Sequence, residues 1–258
     1  LLVDSHCHLD RLKLEDSQSL EQIITTARER GVEKFLCVSV TLDDFPNMLK
    51  TIEPYTDVTV SCGVHPLHNE CQYQIADLRK LATDKRVVAV GETGLDYYYS
   101  NETKAWQQQS FANHCQIAHE LDKPLIIHTR DAREDTIAIL REHNAEKPRG
   151  VLHCFTESLA MAKAAIDMNF MISISGIVTF GNASELRDVV RALPLESLLV
   201  ETDSPWLAPK PYRGKQNQPA YVREVAQFVA DLKGVSLEEL ARVTTANFYD
   251  LFKGAAHA

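Results

Sequence analysis

Val3–Asp10 reads Val-Asp-Ser-His-Cys-His-Leu-Asp and follows directly on Leu1 and Leu2. The apolar start is of strand type. His6 and His8 stand two apart at its end, a spacing that points both imidazoles the same way in extended backbone. A neutral imidazole offers one nitrogen lone pair to a divalent cation. His-x-His pairs are common in isolation, so the weight of this one depends on what other strand ends supply.

Outward from there, short apolar runs alternate with helical patterns. The runs are Lys34–Val40, Val58–Val64, Val87–Gly91, Leu125–Ile127, Gly150–Leu152, Phe170–Ile174 and Leu198–Val200. Helical spacing of apolar residues covers Ser19–Arg30, Asp43–Glu53, Ile75–Ala82, Lys104–Leu121, Ala132–His143, Leu159–Asp167 and Ser184–Ala192. Strand tips therefore fall near residues 6, 38, 63, 92, 128, 153, 176 and 203. That is the rhythm of strand plus crossover helix carried through eight units. Continuous rather than alternating apolar strands suit a parallel sheet covered by helices. No Gly-x-Gly-x-x-Gly follows the first strand, as an open dinucleotide-binding sheet would want. The expected fold is a (β/α)₈ TIM barrel, one domain over residues 1–258. Two C-terminal helices, Pro219–Lys233 and Leu237–Phe252, should pack on it, the second capped by Ser236 with Glu239 in the reciprocal box position.

Composition agrees. A chain of 258 residues matches the roughly 250 that such a barrel commonly uses. It is 45% hydrophobic and 24% charged, the balance of a soluble globular protein. No run approaches the roughly 18 apolar residues of a membrane span. Nothing at the start reads as a secretory signal, so no membrane association and a cytoplasmic location are expected. The six cysteines are scattered through apolar runs and read as reduced and buried. A net charge of −9 argues against an extended nucleic-acid-binding surface. It leaves room for a small basic rim beside a cleft whose bound cations reverse the local field.

In a barrel the active face lies at the C-terminal strand ends. His6, His8, Glu92, His128, His153 and Asp203 all fall at such ends. Singly, His128 or His153 could be a packed core histidine, and Asp203 could cap the turn at Ser204-Pro205. Together, buried imidazoles and carboxylates are much easier to explain with cations than without. Six donors exceed one tetrahedral ion and fit two. Glu92 is the natural bridge, with His6, His8 and Asp203 around one ion and His128 and His153 around the other. Two ions lower the pKa of bound water and clamp the oxygens of a displacement, and Asp203 can accept the water's proton. On ligand softness, Zn²⁺, Mn²⁺ or Fe²⁺ would suit this set. Arg130, Arg213 and Lys215 are candidates for substrate phosphate, guanidinium being suited to bidentate binding. His65 could bind phosphate or protonate a leaving group, or serve structure alone. Tyr97, Tyr98, Tyr99 and Trp206 suggest an aromatic rim, able to stack bases of a single strand or simply to cover the barrel mouth.

These residues resemble the TatD-type metal-dependent deoxyribonucleases, a branch of the amidohydrolase-like barrels. The resemblance runs through VDSHCHLD (3–10), SCGVHP (61–66), VGETGLDY (90–97), PLIIHTRDA (124–132), HCFT (153–156), ETDSPWLAP (201–209) and YRGK (212–215). It implies metal ligation by His6, His8, Glu92, His128, His153 and Asp203. Glu92 stands where several related barrels carry a carboxylated lysine. One departure is that Asn217 is followed by Gln218-Pro219 where the family often has Glu-Pro.

The resemblance further implies hydrolysis of phosphodiester bonds in DNA by metal-activated water. The expected activity is that of a 3′–5′ exonuclease on single-stranded ends, with Mg²⁺ or Mn²⁺ for activity and Zn²⁺ also compatible. No obligate protein partner is implied. The acidic charge suggests contact with only a few nucleotides and a shallow dependence of binding on salt. The alternative is a hydrolase of a small amide, lactone or phosphoester using the same metal centre, since a barrel never settles its substrate.

Overall fold

The structure is a computed structural model that describes residues 1–257; Ala258, the last residue of the expected 1–258 domain, lies outside them. Eight strands and nine α-helices are present among the described residues. The first half runs β1 (Leu2–Cys7), α1 (Leu20–Glu29), β2 (Val32–Cys37), α2 (Phe45–Ile52), β3 (Val58–Cys62), α3 (Ile75–Ala82), β4 (Val87–Asp96) and α4 (Lys104–Leu121). The second runs β5 (Leu125–Arg130), α5 (Arg133–Glu142), β6 (Gly150–Leu152), α6 (Leu159–Asp167), β7 (Phe170–Ile174), α7 (Ser184–Ala192) and β8 (Leu198–Val200). Two further helices follow, α8 (Val222–Lys233) and α9 (Leu237–Leu251). The strands form one parallel sheet in the order β1 to β8, the (β/α)₈ arrangement that the strand-tip rhythm predicts. No described helix is long and apolar enough to cross a membrane.

The seam between β8 and β1 is closed at the strand ends. Asp203 N–H donates to His6 O (2.9 Å) and His8 N–H to Ser204 O (2.8 Å). The buried Asp4 carboxylate accepts from Thr202 N–H (2.9 Å) and from the Thr202 hydroxyl (2.6 Å). A side chain thus does part of what a backbone ladder does elsewhere in the sheet.

Two apolar cores result. The larger lies between the strands and the surrounding helices. The smaller fills the barrel interior, where Val3, Leu36, Val88, Ile126, Val151, Met171 and Leu199 meet Phe248, Leu251 and Phe252 at the end of α9. α9 therefore plugs one end of the barrel. Strand side chains alternate faces, so the residue two further along also points inward. That step carries Ile126 to His128, Val151 to His153 and Leu199 to Glu201. The interior is apolar at the α9 end and ionisable at the other.

Some expected details differ. β4 runs on to Asp96, past the expected end of the apolar run at Gly91. Gly94 within it marks a close approach, because a Cβ there would lie 2.0 Å from His128 O on β5. The first C-terminal helix starts at Val222, after a 3₁₀ turn over Pro219–Tyr221. Ser236 caps α9 through Glu239 N–H (3.0 Å), but the Glu239 side chain turns to Arg242 (2.7 Å), so the reciprocal half of the box is missing. All six cysteines are free thiols, and Cys71 and Cys154 are only half-buried.

Candidate metal centre

Two strand irregularities aim the principal side chains. The β1–β2 register slips between Asp4 and Cys7, and the β4–β5 register slips between Val90 and Thr93. Each slip sets three residue steps on one strand against two on its neighbour, the signature of a β-bulge, which re-aims side chains. His6 sits in the first and Glu92 in the second. His6 and His8 converge through this bulge rather than through regular extended backbone, and their Nε2 atoms stand 3.2 Å apart.

Glu92 is buried, and its two carboxylate oxygens face two groups of donors. Oε2 lies 3.3 Å from His6 Nε2 and 3.8 Å from His8 Nε2. Asp203 Oδ1 completes that group, 3.4 Å from His6 Nε2 and 3.3 Å from His8 Nε2. Oε1 lies 2.7 Å from His153 Nε2, 3.5 Å from His128 Nδ1 and 3.3 Å from His65 Nε2. Donors about 2.1 Å from a tetrahedral ion stand roughly 3.4 Å from one another, so the first group has the dimensions of a coordination sphere. Two clusters able to coordinate metal ions are thus present, sharing Glu92.

Hydrogen bonds on the far side of each ring decide which nitrogen carries a proton. His8 Nδ1–H donates to Val38 O (2.9 Å), His153 Nδ1–H to Glu201 Oε2 (3.1 Å) and His128 Nε2–H to Asp96 Oδ2 (2.8 Å). Each ring then turns its lone pair toward a carboxylate oxygen. Acceptor facing acceptor is repulsive without a cation between, which is the chemistry of a metal site with oriented ligands. His6 is braced differently: its Nδ1 has no hydrogen-bond partner among the described residues, and its ring stacks on His153 at 3.8 Å.

His65 presents the opposite polarity, turning a proton rather than a lone pair toward the site. Its Nδ1 accepts from Leu67 N–H (3.1 Å), so Nε2 carries the proton and offers a donor to the site. Burial pushes its pKa down to about 4, which keeps it neutral.

The charges tell the same story. Burial disfavours an ionised Glu92, yet His153, His65 and His6 hold its carboxyl well below the usual range. Burial also disfavours imidazolium at His153, but Glu92 and Glu201 push that ring well above its ordinary value. The protein alone meets the demand for positive charge here with protons, and a divalent ion can replace them.

The clusters open into a cleft of about 850 Å³ whose rim includes Arg130, Arg133, Tyr99 and Trp206. Arg130 thus lines the cleft. Arg213 lies 4.0 Å over the Phe180 ring and donates to Ala208 O (3.1 Å). Neither it nor Lys215 is among the described residues lining the cleft. Tyr97 is a packing residue, donating to Asp135 (2.7 Å) beneath Lys104. Asp96 and Glu201, which orient two of the rings, are not picked out by the sequence reasoning. For Glu201 the missed signal is the two-residue step from Leu199 on β8 to Glu201 just past its end.

The family described as TatD related DNase matches residues 3–253. The chain is 55% identical over 252 residues to the uncharacterized metal-dependent hydrolase YcfH of Escherichia coli (strain K12), covering 97% of this chain and 95% of the relative. It is 36% identical over 242 residues to a Pantoea ananatis protein named 3′-5′ ssDNA/RNA exonuclease TatD, covering 90% and 92%. Among solved structures, the TatD homologue YjjV of Escherichia coli K12 superposes with a TM-score of 0.90 at 29% identity over 98% of both chains. The chain belongs to the TatD-related DNase family and is a metal-dependent hydrolase.

Proposed function

We propose that this enzyme hydrolyses phosphodiester bonds at single-stranded DNA ends, working from the 3′ side. The observation that carries the reading is Glu92, whose two oxygens serve separate donor clusters. His6, His8, Glu92 and Asp203 would hold one divalent ion and Glu92, His128 and His153 the second. When bound, such a pair lowers the pKa of water and neutralises charge on phosphoryl oxygens. Asp203, at the edge of the first cluster, orients the attacking water and accepts its proton. His65, a neutral N–H donor beside Glu92, hydrogen-bonds a phosphoryl or departing oxygen, while Arg130 at the rim contacts a neighbouring phosphate. Arg213 and Lys215 on the last barrel loop would meet the strand only beyond the cleft. Mg²⁺ or Mn²⁺ supports turnover, and Zn²⁺ fits the imidazole-rich donors. The free thiols support a cytoplasmic location, and catalysis needs no protein partner.

End-labelled single-stranded DNA, duplex DNA and RNA, each tried with Mg²⁺, Mn²⁺ and Zn²⁺, test the reading. The expected result is stepwise loss of 3′-terminal nucleotides from single strands, abolished by His128→Ala. Rapid hydrolysis of a small amide, lactone or phosphoester with no trimming of DNA would refute it and favour the small-molecule alternative.

A further inference from the structure

The cleft has exposed aromatic faces on two opposite sides. Trp206 follows β8, and its ring lies 5.0 Å from that of His8 on β1. Tyr98 and Tyr99 follow β4, across the ring of strands. They are 58% and 63% exposed, and Trp206 is 50% exposed. The tyrosines sit edge to face at 4.8 Å, with the Arg130 guanidinium 4.1 Å from the Tyr98 centroid and 4.9 Å from that of Tyr99. Tyr97 next door is occupied in packing, whereas Tyr98 and Tyr99 cover nothing comparable.

These rings are held in register with the metal centre. Asp96 Oδ1 accepts from the backbone N–H of Tyr98 (3.1 Å) and Tyr99 (2.8 Å), while Oδ2 accepts from His128 (2.8 Å). Gln107 braces Asp96 in turn, accepting from its N–H (2.7 Å) and donating to its carbonyl (3.1 Å). One buried carboxylate therefore sets a donor ring and an aromatic platform in a single frame. The cleft has little spare positive charge for a phosphate backbone. Arg11 is paired with Asp44 and Arg133 with Glu157, and the whole chain carries −9. Beyond Arg130 and the ions that the clusters would hold at the scissile phosphate, stacking supplies the grip on the rest of the strand.

We infer that Tyr99 and Arg130 on one side, buttressed by Tyr98 outside the cleft lining, and Trp206 on the other form a base clamp, seating the unpaired nucleobases that flank the scissile phosphate. The inference rests on the nuclease reading and adds how the strand is recognised. Every base has a π-face, so the clamp tolerates any sequence. It also requires the bases to be unpaired, so a blunt duplex end is a poor ligand.

The test uses binding without turnover. The chain has two tryptophans, so in Trp106→Phe protein the emission reports Trp206 alone. With chelator present, a hexathymidylate strand should quench that emission saturably. A strand of the same length built from abasic residues, with the same phosphates and no bases, should bind at least tenfold more weakly. Anisotropy of a labelled hexathymidylate should show roughly tenfold weaker binding for Tyr99→Ala and for Trp206→Ala, with Tyr99→Phe close to wild type. Equal affinity for the two strands, unchanged affinity in both alanine variants, or no binding of either strand overturns the clamp. Trimming of an end-labelled strand by metal-loaded wild-type protein is scored separately. If it proceeds, the nuclease reading survives failure of the clamp, and if it does not, that reading fails as well.

Discussion

Replacing Glu201 by glutamine probes the metal centre without touching an expected ligand. Glu201 is fully buried, with Oε2 accepting from His153 Nδ1–H (3.1 Å) and Oε1 from Cys154 N–H (2.8 Å). Burial opposes its charge, but His153 and His6 hold the carboxyl down at about 2, so it is ionised at any working pH. Glutamine keeps the size and one acceptor while removing the charge. A hydrogen bond to a charged group contributes about 1.5–3 kcal/mol and a neutral one about 0.5–1.5 kcal/mol. The difference, about 1–1.5 kcal/mol, is lost from the basicity of His153 Nε2. Second-ion affinity should fall roughly 5–13-fold, at the lower edge of the 10–100-fold typical when such a partner is removed outright. Titration calorimetry against a competing chelator measures it, with circular dichroism to show that the fold is kept. The first ion, which His6, His8, Glu92 and Asp203 would hold, should be affected less. If Glu201→Gln binds both ions as tightly as wild type while His153→Ala loses one, the carboxylate does not orient that ring and the reasoning fails.

Three other perturbations have defined outcomes. Glu92→Gln removes the shared carboxylate charge, so bound metal measured by mass spectrometry should drop below two ions per chain and kcat by at least roughly 10²–10³-fold. His114 is buried and neutral, its Nε2 accepting from Val64 N–H (2.9 Å) and its Nδ1–H donating to Ser110 O (2.6 Å). Burial pushes its pKa down to about 4 from 6.5, so its stabilising contribution is full above pH 6.5 and is lost as pH falls toward 4. Between pH 7 and 5 that loss is about 2 kcal/mol, and urea unfolding of His114→Gln should show a pH dependence flatter by about that much. Finally, a Cβ at Gly63 would lie 2.5 Å from Gly91 C, next to Glu92. Gly63→Ala should cost about 1–3 kcal/mol in thermal unfolding and depress activity further than the stability loss explains.

The barrel is legible in this sequence because a strand-plus-helix unit sets a local period, and eight such periods are written in apolar runs and their stops. What the period does not carry is register. The β-bulges at His6 and Glu92 depend on the facing strand, so no pattern within β1 or β4 announces them. Gly94 depends on the facing strand in the same way, marking where β5 comes close. The reach of long side chains is equally non-local: Arg213 belongs to a basic loop in sequence and lies on Phe180 in space. Glu201, unlike Asp96, is a different case, since the information is present but masked. Parallel strands buried on both faces show no alternation, so an inward carboxylate is not set off from its neighbours. Counting back by twos from a histidine at a strand tip recovers it, because Ile126 and Leu199 share the barrel interior and His128 and Glu201 must then share the layer above. Of the two carboxylates, that count finds Glu201 and misses Asp96, whose placement depends on the slip after Val90. A carboxylate facing a ligand imidazole is therefore readable from sequence only where its strand runs in regular register.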